Sequence, residues 1–189
     1  MYYHRTKPVR VGRSTPSERA RRNRDDKGRL VRRGASHGIL VYAGEEPAGW
    51  CQYGPREELP RIDASRRYKA LRMGGADQKL WRITCFSVDR RFRGQGVATA
   101  ALRAALRSIG EKGGGTVEAY PATRRGALAV WFGTVSMFER EGFRVVAPFG
   151  RSNVLVRREV RAAGEGPGRS SSRAPRGGAT TGEGLAPPL

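Results

Sequence analysis

Phe86-Ser87-Val88-Asp89-Arg90-Arg91-Phe92-Arg93-Gly94-Gln95-Gly96-Val97-Ala98-Thr99 joins a strand pattern to a helix pattern. Upstream, Leu80 to Val88 is rich in β-branched and aromatic residues, as a strand requires. Downstream, Ala98, Ala101, Leu102, Ala105, Leu106 and Ile109 recur at helical spacing. Between the two, Gly94 and Gly96 remove Cβ atoms where the first helical N–H groups have no partner. Those amides and the positive end of the helix dipole favour a phosphate, and glycine lets it come close to the backbone. The turn has neither the Lys-Ser/Thr ending of a P-loop nor the three spaced glycines of a dinucleotide fingerprint.

Working outward, Ile39–Ala43 and Ala48–Tyr53 read as a hairpin around Gly44-Glu45-Glu46-Pro47. Before it, Thr15-Pro16-Ser17-Glu18 reads as a capping box whose helix runs toward Arg33 with little apolar content. Residues 55–79 are a long charged connection with room for a short helix over Ala64–Leu71. The helix after the turn ends at Gly110, and Gly113-Gly114-Gly115 reads as a flexible link. Thr116–Tyr120 is the next strand, stopped by Pro121, and residues 122–133 read as a loop. Ser136-Met137-Phe138-Glu139 offers a capping box for a short helix ending at Gly142. Phe143, Val145, Ala147 and Phe149 alternate as a strand, and Val154–Val160 forms the last one. The strand–helix–strand unit over 80–120 is a crossover, so its two strands are expected to be parallel.

Arg93-Gly94-Gln95-Gly96-Val97-Ala98 resembles the [RQ]-x-x-G-x-[GA] signature of the GNAT superfamily of N-acetyltransferases. Gly38–Gln52 resembles the hairpin that precedes that signature, and Met137–Phe143 the segment near the family's C-terminal end. The resemblance spans roughly residues 37–160. It implies an α/β fold: a mixed, mostly antiparallel sheet, splayed between two central parallel strands and flanked by helices. The resemblance implies an acetyltransferase domain over 37–160; composition adds a basic, partly helical segment over 1–36 and a disordered tail over 161–189, whose Gly, Ser, Pro, Ala and Arg show no periodicity. The resemblance further implies that Arg93, Gly94, Gln95, Gly96, Val97, Ala98 and Thr99 cradle the pyrophosphate of acetyl-CoA. The main chain of Phe86 and Val88 would pair with pantetheine as an added strand does, and an amide there would polarise the thioester carbonyl. Two departures stand out. Met1-Tyr2-Tyr3 and Val9-Arg10-Val11 are poor candidates for the family's first strand, and Phe138 stands where many members carry a tyrosine.

The formal charge is +20, and Lys7, Lys27, Lys69, Lys79 and Lys112 are the only lysines, so the remainder of the 37 basic residues are arginine. Such a field attracts polyanions, coenzyme A among them. Abundant Arg, Gly, Ala and Pro also fit compositional drift, so nucleic-acid binding is expected to be weak and non-specific. Cys51 and Cys85 lie in strand-like runs without CxxC spacing and read as buried reduced thiols. His4 and His37 are isolated, so no metal site is legible. No apolar run approaches a membrane span and no signal-peptide core is present, which points to a cytoplasmic protein, monomer or homodimer.

An amine acceptor with pKa of about 10.4 is neutral roughly once in 2,500 molecules at pH 7, so a base helps. Leu80–Phe86 holds no carboxylate, which leaves Glu118 on the neighbouring strand. Alternation puts Glu118 and Tyr120 on one face, with Val117 and Ala119 on the other. Glu118 is thus the candidate base, against an ion pair with an arginine on a solvated face. Water or Tyr120 would protonate the departing thiolate in place of Phe138. Trp50, Tyr53 and Trp131 are candidates for an acceptor pocket as well as for core. The reading is direct acetyl transfer from acetyl-CoA to an amine on a small molecule or peptide. The alternative is a catalytically weak acyl-CoA-binding protein with a basic, nucleic-acid-associated surface.

Overall fold

Thr15 opens the first helix through the reciprocal cap its sequence carries. Its hydroxyl accepts from the Glu18 amide at 3.2 Å, and the Glu18 carboxylate accepts from the Thr15 amide at 2.8 Å. Helix α1, Pro16–Arg32, buries no residue. The computed structural model describes residues 3–5, 14–71, 79–124 and 126–164. Met1-Tyr2, Val9–Val11 and the tail from residue 165 onward lie outside these residues.

Six strands form one sheet: β1 His37–Ala43, β2 Glu46–Pro55, β3 Leu80–Val88, β4 Gly115–Ala119, β5 Arg144–Pro148 and β6 Val154–Val160. Their order is β1-β2-β3-β4-β6-β5. β3 and β4 are parallel, and every other neighbouring pair is antiparallel. A 3-10 turn over Arg56–Glu58, α2 Arg61–Ala64 and α3 Arg66–Ala70 lie between β2 and β3. Helix α4, Val97–Glu111, makes the crossover from β3 to β4. Helices α5 Ala127–Phe132 and α6 Val135–Arg140 precede β5.

The helical spacing after Gly96 is realised as packing: α4 buries Ala101, Leu102, Ala105, Leu106 and Ile109. They meet Trp81, Ile83 and Phe86 of β3, Val117 and Ala119 of β4, and Phe138 and Phe143 in one core. Fully buried Leu102 and Ile109 each contribute roughly 1.5–3 kcal/mol. A second, smaller cluster of Ile62, Tyr68, Tyr120 and Leu155 joins α2 and α3 to the sheet.

Three local expectations give way. The loop over 122–133 contains α5, an apolar hexamer between Gly126 and Gly133, too short to display a period. Helix α6 is capped by Thr134, whose hydroxyl accepts from the Met137 amide at 3.3 Å, rather than by Ser136. The glycines before β4 are no slack link. Gly113, Gly114 and Gly115 have φ of 90°, 66° and 127°. A Cβ on Gly114 would collide with the Val160 carbonyl, and one on Gly115 with that of Lys79.

Residues outside the sheet also dock on it. The His4 Nδ1–H donates to the Glu58 carbonyl at 2.8 Å, while its Nε2 accepts from Gln52 at 2.6 Å and Lys27 at 3.1 Å. His37 contacts Glu58 at 2.8 Å, so neither histidine is isolated. Burial, then Lys27, pushes the His4 pKa down to about 4. Arg5 pairs with Asp26. After β6, the Ala163 amide donates to the Gly110 carbonyl at 2.9 Å, so the first residues past 160 lie against the end of α4.

The glycine run yields a contrast. Alanine at Gly113 or Gly114 incurs left-handed backbone strain of about 1–2 kcal/mol. At Gly114 the overlap with Val160 adds roughly 1–3 kcal/mol. Gly114→Ala is expected to melt several degrees below Gly113→Ala, whose Cβ meets only the flexible Lys79 amine. Equal melting temperatures would show that this connection yields freely.

Candidate active site

β3 carries an irregularity that alternation does not announce. Opposite it, Gln52 faces Cys85 and the next residue, Tyr53, faces Ile83, so Thr84 is an extra residue in β3. A bulge of this kind bends the strand and re-aims its side chains. On the other edge of β3, parallel pairing with β4 ends at Ile83 and Ala119. β3 nevertheless continues to Val88, still paired with β2. The main chain of Phe86 and Val88 therefore borders an opening where the two central strands part. The Phe86 side chain is core, 6.1 Å from the Phe138 ring, and Val88 is half-buried. The Thr84 hydroxyl at the bend is buried without a hydrogen-bond partner.

At the end of β3 the chain turns sharply. The Asp89 amide donates to the Ala48 carbonyl at 3.0 Å, and the Asp89 side chain accepts from the Arg91 amide at 2.9 Å. The Arg93 guanidinium donates to the Val88 carbonyl at 3.2 Å, and the Gln95 side chain to the Arg91 carbonyl at 2.9 Å. Both side chains thus brace the turn. Gly94 and Gly96 have φ of 75° and 81°, and a Cβ on either would meet nothing within 4 Å. Glycine is demanded here by backbone conformation, and the space beside it is open. Val97, Ala98 and Thr99 form the first turn of α4, half-buried with unpaired amides.

Behind the opening lies a cavity of about 700 Å³, with α2 and α3 on one side and α5 on another. Cys85, Tyr120, Trp131 and Asn153 border it. Trp50 and Tyr53 do not. Tyr53 is core, bonded to the Ser108 hydroxyl at 2.7 Å, and Trp50 lies beneath Lys27. Cys85 is only half-buried, unlike Cys51, and burial raises both thiols. Among the described residues no group of His, Cys, Asp and Glu is placed to hold a metal, and no helix is long and apolar enough to cross a membrane.

Glu118 and Tyr120 share a face as alternation requires, but it is not a solvated one. Glu118 is fully buried. Its Oε1 accepts from Arg157 at 2.6 and 2.9 Å and from the Tyr68 hydroxyl at 3.1 Å. Its Oε2 accepts from the Tyr120 hydroxyl at 2.8 Å and faces Arg82 at 3.5 Å. Tyr120 alone of this pair borders the cavity. Burial raises its pKa well above the ordinary 10. Arg82, wholly buried opposite Glu118 in the parallel register, also grips Asp63 through two contacts of 2.5 and 2.9 Å. Arg82, Arg157, Asp63 and Tyr68 escaped sequence reasoning. The one available signal was a charge inside Leu80-Trp81-Arg82-Ile83, a strand otherwise apolar there.

The Acetyltransferase (GNAT) family model matches residues 2–133. No curated protein matches the chain. A GNAT-family acetyltransferase from Desulfovibrio desulfuricans superposes with a TM-score of 0.51 at 18% identity, covering 78% of this chain and 83% of its own. That likeness shows the fold. A ribosomal-protein-alanine N-acetyltransferase from Brucella melitensis gives 0.47 at 15% identity, with coverage of 73% and 77%. An acetyltransferase from Thermus thermophilus gives 0.46 at 16%, with 71% of each chain covered.

The ionic layer sets an acid limit. Burial works to raise the Asp63 carboxyl, but Arg82 and Arg56 outweigh it and hold it below 3.8. A depressed native pKa contributes stability that is complete above the unfolded value and lost as pH falls through the folded one. The melting temperature is expected to drop below about pH 4. Asp63→Asn should begin lower at pH 7 and fall less steeply through that range. An unchanged acid slope would remove Asp63 as a contributor.

Proposed function

Because this chain belongs to the GNAT acetyltransferase family, we propose that it moves an acetyl group from acetyl-CoA directly to an amine. The observation that carries the reading is the parting of β3 and β4 at the Thr84 bulge, immediately ahead of the Gly94–Gly96 turn. The edge of β3 at Phe86 and Val88 has no strand partner on the β4 side, and it suits an extended pantetheine arm, which would compete with Arg93 for the Val88 carbonyl. The open space beside Gly94 and Gly96, with the unpaired amides of Val97, Ala98 and Thr99, suits a pyrophosphate. Arg93 and Gln95 serve it by bracing the turn.

In the reaction the amine nitrogen bonds to the thioester carbon, the C–S bond breaks, and the amine loses a proton. A main-chain amide at the β3 edge supports the developing oxyanion. The five donors around Glu118 leave it no direct contact with an acceptor, so its part runs through Tyr120. The Tyr120 oxygen accepts the acceptor's proton while its own passes to Glu118 Oε2, 2.8 Å away. This assignment replaces Tyr120 as donor to the thiolate, because its hydroxyl is already directed at Glu118. The thiolate, with a pKa near 8.5 by analogy to cysteine, then leaves to be protonated by water. Phe138 supplies no hydroxyl and is fully buried between Phe86 and Phe143.

Calorimetric titration of acetyl-CoA tests the donor site. A branched residue at φ 81° strains the turn by about 1–2 kcal/mol, so Gly96→Val should bind roughly tenfold more weakly. Unchanged affinity in a folded variant overturns the assignment. Mass-shift screening of amines with enzyme and acetyl-CoA then separates turnover from mere binding.

The relay makes a second prediction. Tyr120→Phe keeps the ring against Phe149, at 4.6 Å between centroids, and removes the hydroxyl. Turnover at pH 7 should fall about 100-fold with acetyl-CoA affinity unchanged, and the deficit should shrink as rising pH deprotonates the amine. Glu118→Gln should move in the same direction, and the double variant should lose little more than either. Near-normal turnover in Tyr120→Phe, with chemistry rate-limiting, leaves Tyr120 a wall residue.

A further inference from the structure

We propose that the acceptor is a small amine carrying an apolar body and an anionic group, a carboxylate or a phosphate. This rests on the acetyl-transfer reading above and names the substrate class of the same site. The cavity of about 700 Å³ has the size of a small-molecule site. Arg61, Arg66 and Arg67, from α2 and α3, line it together with Trp131, Phe132 and Phe149. Among its described lining residues there is no Asp or Glu.

The one-sided charge is a consequence of how the roof is tied down. Asp63, the carboxylate of the α2–α3 segment, turns to Arg82 and Arg56. Glu118, beneath Tyr120, is consumed by Arg82 and Arg157. Asp63 and Glu118 are thus both engaged in the ionic layer, and among the described lining residues there is no carboxylate for the guanidiniums of Arg66 and Arg67. Arg67 is further defined by position. It lies against Gly150, whose φ is 85° and where a Cβ would come within 2.9 Å of its Nη1. A glycine there leaves room for the guanidinium between α3 and the β5–β6 connection.

Guanidinium forks match carboxylate and phosphate groups. They repel a polyamine or a lysine-rich segment. The aromatic surface of Trp131, Phe132 and Phe149 is the complement of an apolar body. With the anion held at the α2–α3 rim, the reacting amine faces Tyr120 and Cys85 on the side toward the strand opening.

The test is a matched panel with acetyl-CoA: L-phenylalanine and L-tryptophan against 2-phenylethylamine and tryptamine, 1-amino-2-phenylethylphosphonate for the phosphate arm, and spermidine. Anionic amines are expected to exceed their uncharged counterparts in kcat/KM by at least about tenfold, the value of one contact worth about 1.4 kcal/mol. The better of the carboxylate and phosphonate arms identifies which anion is taken. In Arg66→Gln/Arg67→Gln the ratio of anionic to neutral kcat/KM should fall toward one, with the melting temperature checking that the fold is intact. Calorimetry with acetyl-CoA on the same samples separates the two readings. Loss of acetyl-CoA binding by the natural chain overturns the donor site. Binding of acetyl-CoA with neutral amines or spermidine preferred, with no anionic amine acetylated, or with the ratio unmoved in the double variant overturns the anionic acceptor.

Discussion

A guanidinium with no solvent exposure, that of Arg82, is the constraint on which the rest of the structure depends. Taking such a charge out of water costs several kcal/mol, recovered only when its donors are met by well-placed acceptors. Asp63 meets two of them, Glu118 faces a third, and the guanidinium lies 4.8 Å from the centre of the Tyr68 ring. Those partners come from α2, β4 and α3. One buried cation therefore fixes the roof of the cavity, the parallel strand pair and, through Glu118 and Arg157, β6. Removal of a single partner leaves an uncompensated charge, typically at a cost of about 3–5 kcal/mol.

The sheet accordingly has two different faces. Toward α4 it is apolar, with Trp81, Ile83, Val117 and Ala119 packed on Leu102 and Ile109. Toward α2 and α3 it carries the ionic layer, with Ile62, Tyr68, Tyr120 and Leu155 filling in around it. Burial on the first face supplies non-directional stability. Pairing on the second supplies direction, because each hydrogen bond tolerates little displacement. The site lies where the Thr84 bulge ends the parallel pairing and opens a path between the strands. Helix α4 then presents its first amides beside that path, and Gly49 allows the approach, since a Cβ there would come within 2.6 Å of Val97.

Charge is also organised above the level of composition. A net +20 says only that anions are attracted. Some of the arginine is structural: Arg82 and Arg157 are bound into the core, while Arg91 and Arg93 brace the turn with Asp89, Glu46 and the Val88 carbonyl. What remains facing the cavity is a smaller set with a definite place.

The sequence by itself determined the parts governed by local rules. The capping box at Thr15, the hairpin around Gly44 and the periodicity of α4 each act over a few residues, and each is realised. The left-handed conformation of Gly94 and Gly96 is what the structure adds to their reading as gaps in the turn. The parallel pairing of β3 with β4 follows from a crossover too long to be a hairpin. Tertiary structure alone decided the rest. The Thr84 bulge arises from the register of β2 against β3, which no residue type at position 84 specifies. The collision that demands Gly114 involves Val160, 46 positions away in numbering. Glu118 reads from its own strand as one of a pair facing outward. Its burial, and the five donors that hold it, come from β3, β6, α3 and Tyr120. Alternation gives a side chain its direction, but only the elements packed on that face decide whether it meets water, a partner or a substrate.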